Sequence, residues 1–234
     1  MNTEKMTARI RALFAKAEST TYESEAETYL AKAYELLAQH GIEEAVARAG
    51  AGTDSSEISK WVFTPTGPYK YDQIMLVGCI VDALHCSAVK TADNKRVTVY
   101  GVKAHLDRAE MLAGFLVAYM LGLAVKSEPE FPWESKVTYR KSVMAGFMST
   151  VHNRLKRAEK QAAGESEDAK GAALVLMSDS RRAEEAMRAA ANGPLGTAAA
   201  PRRSRAGWSA GEEAANSVDL GGGNRVGGRR AIAG

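Results

Sequence analysis

The sequence is poor in cysteine and in long hydrophobic runs. It has only two cysteines, Cys79 and Cys86, too few and too close together for a disulfide framework. No apolar run reaches the roughly 18 residues of a membrane span, and the first residues lack the apolar core of a secretory signal. These absences predict a cytoplasmic protein with reduced thiols and no membrane contact.

Recognisable cofactor, metal and nucleophile motifs are lacking as well. The histidines lie on separate predicted elements, and His85 is followed directly by Cys86 without the spacing of a metal site. The glycine-rich run 221–228 follows no predicted strand and opens no helix, so it does not fit a phosphate-binding loop. We therefore predict no cofactor, no metal and no catalytic residues, although distant residues can still assemble an enzyme site in three dimensions.

The net charge is only +3, but the charge is unevenly distributed. Residues 136–160 and the tail after Pro201 are basic, whereas the first 50 residues carry more Glu than Lys and Arg. Hydrophobic residues make up 45% of the chain, enough for a sizeable core. The composition thus predicts a globular protein with basic segments.

The clearest pattern lies between Ala8 and Ile42, where apolar residues recur at helical spacing on both sides of a short break. Ser24 and Glu27 have the spacing of a capping box, which predicts the start of a second helix. Gly41 is expected to end that helix, with His40 in its last turn. These features predict a helical hairpin.

Two runs in this hairpin, A-R-I-R-A-L-F-A-K-A-E-S-T and L-L-A-Q-H-G-I, resemble the N-terminal domain of unknown function numbered 2786, found in phage, actinobacterial and other bacterial genomes. The resemblance covers about residues 5–45. It continues more loosely after residue 60, where Y-R-K-S-V-M-A-G-F is similar to part of the uncharacterised domain that often follows. It supplies no functional residues. It implies a cytoplasmic protein encoded by a phage or mobile element.

A second unit follows a linker of small polar residues. The patterns predict strands at 61–63, 87–90, 96–102 and 172–177, helices at 71–84, 104–123 and 135–161, a helix after 177 capped by Ser178 or Ser180, and a short helix near 208–218. The helix at 104–123 is expected to be a core helix whose start is made polar by His105, Asp107, Arg108 and Glu110.

The fold class we predict is α+β, with an N-terminal helical hairpin, a small β-sheet packed with several α-helices, and a flexible basic C-terminal tail. The corresponding domains are a helical hairpin at 1–49, an α+β domain at 60–193, and a linker, short helix and Gly/Arg-rich tail at 194–234.

A basic helix and the basic tail form the candidate nucleic-acid site. Its residues are Arg140, Lys141, Arg154, Lys156, Arg157, Lys160, Arg202, Arg203 and Arg205. Basic faces of amphipathic helices are more often merely solvated. Arg140 and Arg154 lie near the helix's apolar stripe, so we expect each to have a partner or to extend outward into solvent. The partner is either an aspartate (Asp72, Asp82 or Asp107) or a bound phosphate.

Three functions remain open from the sequence. The favoured one is a non-enzymatic accessory protein that associates with DNA, RNA or nucleoprotein. The second is a protein-interaction module whose helical hairpin docks on a host or phage protein. The third is an enzyme whose site is not visible in the sequence.

Overall fold

Helices and one small sheet make up the computed structural model, which describes residues 3–20, 23–50, 56–129, 131–166, 168–191 and 204–217. The helices are α1 (Thr3–Ser19), α2 (Glu23–Gly50), α3 (Lys70–Ala83), α4 (Lys103–Lys126), α5 (Lys136–Gly164), α6 (Ala169–Ala190) and α7 (Arg205–Ser217), and the strands are β1 (Ile58–Phe63), β2 (Ser87–Lys90) and β3 (Val97–Val102). The predicted α+β class and the N-terminal helical hairpin of α1 and α2 are confirmed. The predicted tail lies outside the described residues.

The sheet is antiparallel, with β3 between β1 and β2. Val97 and Val99 on β3 are buried and alternate with half-buried neighbours, as the sequence predicts. The turn between β2 and β3 places Asn94 at a φ of 54°, a left-handed conformation that asparagine tolerates better than most residues. The strands predicted at 87–90 and 96–102 therefore form an antiparallel hairpin.

The prediction that Gly41 ends the second helix is wrong, because α2 continues through Gly41 to Gly50. The guanidinium of Arg108 on α4 occupies the space that a Cβ at position 41 would need. Gly41 thus permits a close approach between helices instead of a left-handed turn. His40 lies in the interior of α2 as a result, and Glu43–Arg48 belong to the same helix.

The predicted strand at 172–177 is also wrong, because these residues belong to α6. Ala172, Leu176, Ala183 and Met187 are buried at helical spacing on one side of α6, and a strand would split them between two faces. The helix is capped by Asp168, whose carboxylate accepts a hydrogen bond from the backbone N–H of Gly171 at 2.9 Å. Ser178 and Ser180 lie inside the helix and are not its cap.

The main core forms where α3, α4 and α5 pack together beneath the sheet and the N-terminal helices. Leu76 on α3, Leu116 on α4 and Phe147 on α5 are inaccessible to solvent. By length and composition alone α4 could cross a membrane, a property that core helices of globular proteins share. Here it packs against α3, α5 and the sheet.

Helix α7 packs on α5 through glycines on both helices. A Cβ at Gly146 would collide with the backbone of Trp208, and one at Gly211 would collide with the backbone of Val143. These contacts need the backbones to approach closely, which only glycine allows. The domain boundaries at 49, 60 and 193 remain predictions, although one hydrophobic core contains residues of both α1–α2 and α3–α5.

Candidate functional site

A groove of about 1100 Å³ opens between α3, α5 and α6, at the start of β2. Its walls are partly apolar, with Leu176, Met177 and Met187 from α6. Its rim carries the cations Lys156, Lys160 and Arg181 together with Asp82 and Glu184. Small-molecule sites usually occupy concave surfaces of roughly 300–1,000 Å³, so this groove is large enough for a ligand.

His85 lies at the floor of the groove, just after α3 ends. Its backbone has a φ of 60°, which turns the chain from α3 into β2. Its Nδ1 lies 3.2 Å from Oγ of Ser180, and its Nε2 lies 3.8 Å from Oε2 of Glu159. The imidazole therefore contacts Ser180 of α6 and lies near Glu159 of α5 without a hydrogen bond to it.

Glu159 forms an ion pair with Arg108 of α4. Both side chains are buried, with 7% and 6% of their surface exposed. Burial raises the pKa of Glu159, and the charge and hydrogen bond of Arg108 oppose that rise. Two charges buried together are costly to separate, so the pair fixes α5 against α4.

Asp179 of α6 is the centre of a second buried cluster beside the groove. Its carboxylate is 0% exposed, lies 3.0 Å from Nε2 of His105, and accepts hydrogen bonds from Arg48 at 3.1 and 2.7 Å. Arg182 lies 3.7 Å away. Burial raises the pKa of Asp179, but the hydrogen bonds of His105 and Arg48 outweigh it and hold the pKa below its usual value.

The two histidines beside the groove are held in the neutral form. Burial, together with the nearby His105 and Arg108, lowers the pKa of His85 to about 4. Burial also lowers the pKa of His105, while its hydrogen bond to Asp179 acts in the opposite direction. The rings lie 5.8 Å apart between centroids, so two positive charges here would repel each other.

Ser180, His85 and Glu159 have the order of a nucleophile, a base and a carboxylate, but the surroundings do not favour acyl transfer. Ser180 lies within α6, where the backbone N–H groups already donate to helix carbonyls. Serine hydrolases need free N–H donors beside the nucleophile to stabilise the oxyanion. Among the described residues, no group of three or more His, Cys, Asp or Glu side chains is arranged to hold a metal ion. The geometry therefore suits ligand binding better than covalent catalysis.

Three of the predicted nucleic-acid residues make contacts within the protein. Arg140 donates to the carbonyls of Ser127 and Val125 and pairs with Glu128, so its partner is not one of the predicted aspartates. Arg154 donates to the carbonyl of Ala215 at the end of α7. Lys156 pairs with Asp82 at 2.8 Å. Arg140 and Arg154 thus fix neighbouring segments in place.

Four other members of the predicted set are exposed, namely Lys141, Arg157, Lys160 and Arg205. Lys141, Arg157 and Lys160 lie on α5 and make no ion pair or hydrogen bond with another described residue. Arg202 and Arg203 lie outside the described residues. The structure therefore brings Lys156, Lys160 and Arg157 together near one end of α5 and places Lys141 near the other.

The buried groups around the groove are the part that sequence reasoning missed. His105 was expected only to make the start of α4 polar, whereas its side chain is 1% exposed and contacts Asp179. A signal was present: His105 and Arg108 share the helical stripe of Ala109 and Leu112. Asp179 shares the stripe of Leu176 and Ala183 in the same way, which the strand assignment concealed.

Comparison with protein families gives one match, over residues 5–44, to the family described as a protein of unknown function (DUF2786). That segment comprises α1 and most of α2, so this part of the chain is similar to a domain of unknown function. No curated protein matches the chain significantly. No solved structure matches it significantly either.

Proposed function

We propose that the protein associates with nucleic acid without catalysis, through the exposed cations of α5. The observation that carries the proposal is that Lys141, Arg157 and Lys160 are exposed on one helix and have no partner among the described residues. A lysine or arginine that is not neutralised inside the protein can neutralise a phosphate outside it. Lys156, beside them, can exchange Asp82 for a phosphate.

The spacing of these cations suits an extended polyanion. Lys141 and Lys160 are 19 positions apart on a continuous helix, which corresponds to about 28 Å along its axis. A nucleic-acid backbone presents several phosphates over that length, whereas a single small anion can contact only one end. Contacts made by lysine and arginine to phosphates carry little sequence information, so we expect weak sequence selectivity.

Fluorescence anisotropy with labelled DNA and RNA oligonucleotides tests the proposal. The variant Lys141→Gln/Arg157→Gln/Lys160→Gln removes three charges from α5. We expect it to weaken binding at least tenfold, and the wild-type affinity to fall with salt at a logarithmic slope of roughly −3. Lys156 is left intact because its change would also break the ion pair with Asp82.

A matched control separates the α5 surface from net charge. Lys5, Lys60 and Lys70 are exposed and lie on α1, β1 and α3. Their combined change to Gln removes the same three charges and should leave the affinity within about twofold of wild type. Equal losses in both variants, or no binding by the wild-type protein at micromolar concentration and low salt, would contradict the proposal.

The cellular setting belongs to the same proposal. The similarity at residues 5–44 and the run Y-R-K-S-V-M-A-G-F support a cytoplasmic protein of a phage or mobile element, in which the residues after 60 form the domain that often follows. Residues 139–147 of that run lie in α5 and help to bury it in the core.

A second candidate function, docking on a host or phage protein, is favoured by one surface feature. Phe131 and Trp133 stack with ring centroids 4.8 Å apart, and Trp133 is 81% exposed. Exposed aromatic residues are enriched at protein interfaces. If nucleic acid does not bind, Trp133→Ala in a binding assay with a candidate partner protein becomes the more informative experiment.

A further inference from the structure

Two polar atoms at the groove floor face each other without bonding. Nε2 of His85 and Oε2 of Glu159 are 3.8 Å apart, too far for a hydrogen bond, and neither has a partner among the described residues. Glu159 is more than nine-tenths buried and lines the groove. Buried polar atoms are normally satisfied, so a pair left open at the floor of a groove indicates a place for a polar ligand group.

The neighbouring contacts determine what such a group must offer. If Ser180 donates its hydroxyl proton to Nδ1 of His85, Nε2 of the neutral ring carries the proton and is a donor. Arg108 binds Oε1 of Glu159 and favours the carboxylate form against the effect of burial, and in that form Oε2 is an acceptor. The floor thus presents one donor next to one acceptor.

The Watson–Crick edge of a nucleobase carries a matching pair, an acceptor next to a donor. Proteins read this edge on unpaired bases, because in a duplex it is engaged with the opposite strand. The walls above the floor are formed by Leu176, Met177 and Met187, and apolar side chains of this kind can pack against the faces of a flat ring.

The rim of the groove carries cations that can contact the phosphate of a nucleotide. Lys160 and Arg181 line the groove, and both are exposed cations able to contact a phosphate. Lys160 also belongs to the α5 surface that we propose for the nucleic-acid backbone. A strand that follows α5 therefore passes the mouth of the groove with its phosphates on the rim.

We propose that the groove binds one nucleotide of a single-stranded nucleic acid, with the base hydrogen-bonded to His85 and Glu159 and its phosphate at Lys160 and Arg181. This proposal rests on the proposed function and gives it a substrate class, unpaired nucleic acid. The ring of His85 is 25% exposed, so a small displacement of its side chain opens the floor to the base.

Isothermal titration calorimetry of the full chain tests the site with nucleoside 5′-monophosphates, the corresponding nucleosides, and ribose 5-phosphate. We expect the monophosphates to bind, and ribose 5-phosphate to bind at least tenfold more weakly because it lacks the base. His85→Gln should weaken monophosphate binding about tenfold. Lys160→Gln should weaken monophosphate binding while leaving nucleoside binding unchanged. Circular dichroism confirms that each variant is folded.

Anisotropy with a single-stranded oligonucleotide and a duplex of the same sequence separates the two proposals. We expect the single strand to bind more tightly, and His85→Gln to remove that preference without abolishing the salt-dependent binding. Equal affinity for both forms, or monophosphates that bind no better than ribose 5-phosphate, would overturn the nucleotide site even though the proposed function stands. A wild-type protein that binds neither the single strand nor the duplex would instead contradict the proposed function.

Discussion

The two halves of α4 bury different kinds of side chain, apolar in the second half and polar or charged in the first. The second half buries Leu112, Leu116 and Met120, which pack in the main core. The first half buries His105 and Arg108 just as deeply, and these bond to Asp179 of α6 and Glu159 of α5. The stability of apolar packing does not depend on pH, whereas a buried charged cluster is stable only when every partner is present and correctly protonated. Through Arg108, the polar half holds Glu159, one of the polar groups that line the groove.

The largest difference between the halves is expected at Asp179. Asp179→Ala removes the carboxylate that Arg48 and His105 share, and leaves the buried cation Arg48 without this partner. We expect the free energy of unfolding to fall by about 4 kcal/mol, as for other broken buried pairs. Denaturant unfolding measures it. Glu185→Ala on the exposed side of α6 is the control, and an equally small effect of both changes would refute the structural role of Asp179.

A somewhat smaller loss is expected in the apolar half. Leu116→Ala removes a side chain that is 0% exposed and leaves a cavity in the core. The expected cost is about 3 kcal/mol. Because no titrating group is involved, this loss should be the same at pH 5 and pH 7. A loss of stability that changes strongly with pH would mean that the apolar half of α4 is energetically coupled to the titrating groups of the polar half.

The pH dependence of stability should come from the polar half of α4 and its neighbour His85. The pKa of His85 is lowered to about 4 in the folded protein, so between pH 6.5 and 4 the unfolded chain binds the proton more readily. Stability should therefore fall as the pH drops through this range, by about 3 kcal/mol for His85. The lowered pKa of His105 acts in the same direction, and the raised pKa of Glu159 acts in the opposite one.

His85→Gln isolates this contribution. Chemical unfolding of the variant between pH 7 and pH 4 should show a flatter decline than wild type, because one titrating group is gone. An identical decline in both proteins would show that His85 is not the group responsible.

The smallest expected effect compares two glycines inside helices. Gly41→Ala places a methyl group where the Arg108 guanidinium lies, so this side chain must shift. Gly114→Ala on α4 meets nothing within 4 Å and should stabilise the helix by about 1 kcal/mol. We expect Gly41→Ala to lose about 1 kcal/mol instead. Thermal melts of both variants measure these changes in stability. Equal stabilisation by the two substitutions would show that Arg108 does not pack closely against Gly41.

Local patterns were sufficient for most of the fold. Ile74, Val77 and Val81 on α3, and Val97 and Val99 on β3, are buried as their spacing predicts, because each element's own periodicity decides its face. Gly41 could not be predicted correctly, because its reason lies in Arg108, which is distant in the chain. A contact between two helices that are distant in the chain cannot be predicted from the spacing of residues within one helix.

The candidate site was predictable only in part. Lys141, Arg157 and Lys160 are visible in the sequence as cations of one basic helix, and the structure leaves them exposed. His85, Glu159 and Ser180 come from three separate segments, and only the packing of α5 and α6 brings them together. The burial of His105 and Asp179 was not predicted, because polar residues are usually exposed and burial in pairs is the exception.

The most direct test is a titration of the histidine ring nitrogens by long-range ¹H–¹⁵N NMR, with a short single-stranded oligonucleotide added to the full chain. We expect the Nδ1 and Nε2 signals of His85 to shift on binding, while those of His40, on α2 and away from the groove, stay in place. We also expect His85 of the free protein to be neutral at pH 7, with the proton on Nε2. His85 signals that do not shift at a saturating concentration of oligonucleotide would contradict the binding of a base at His85.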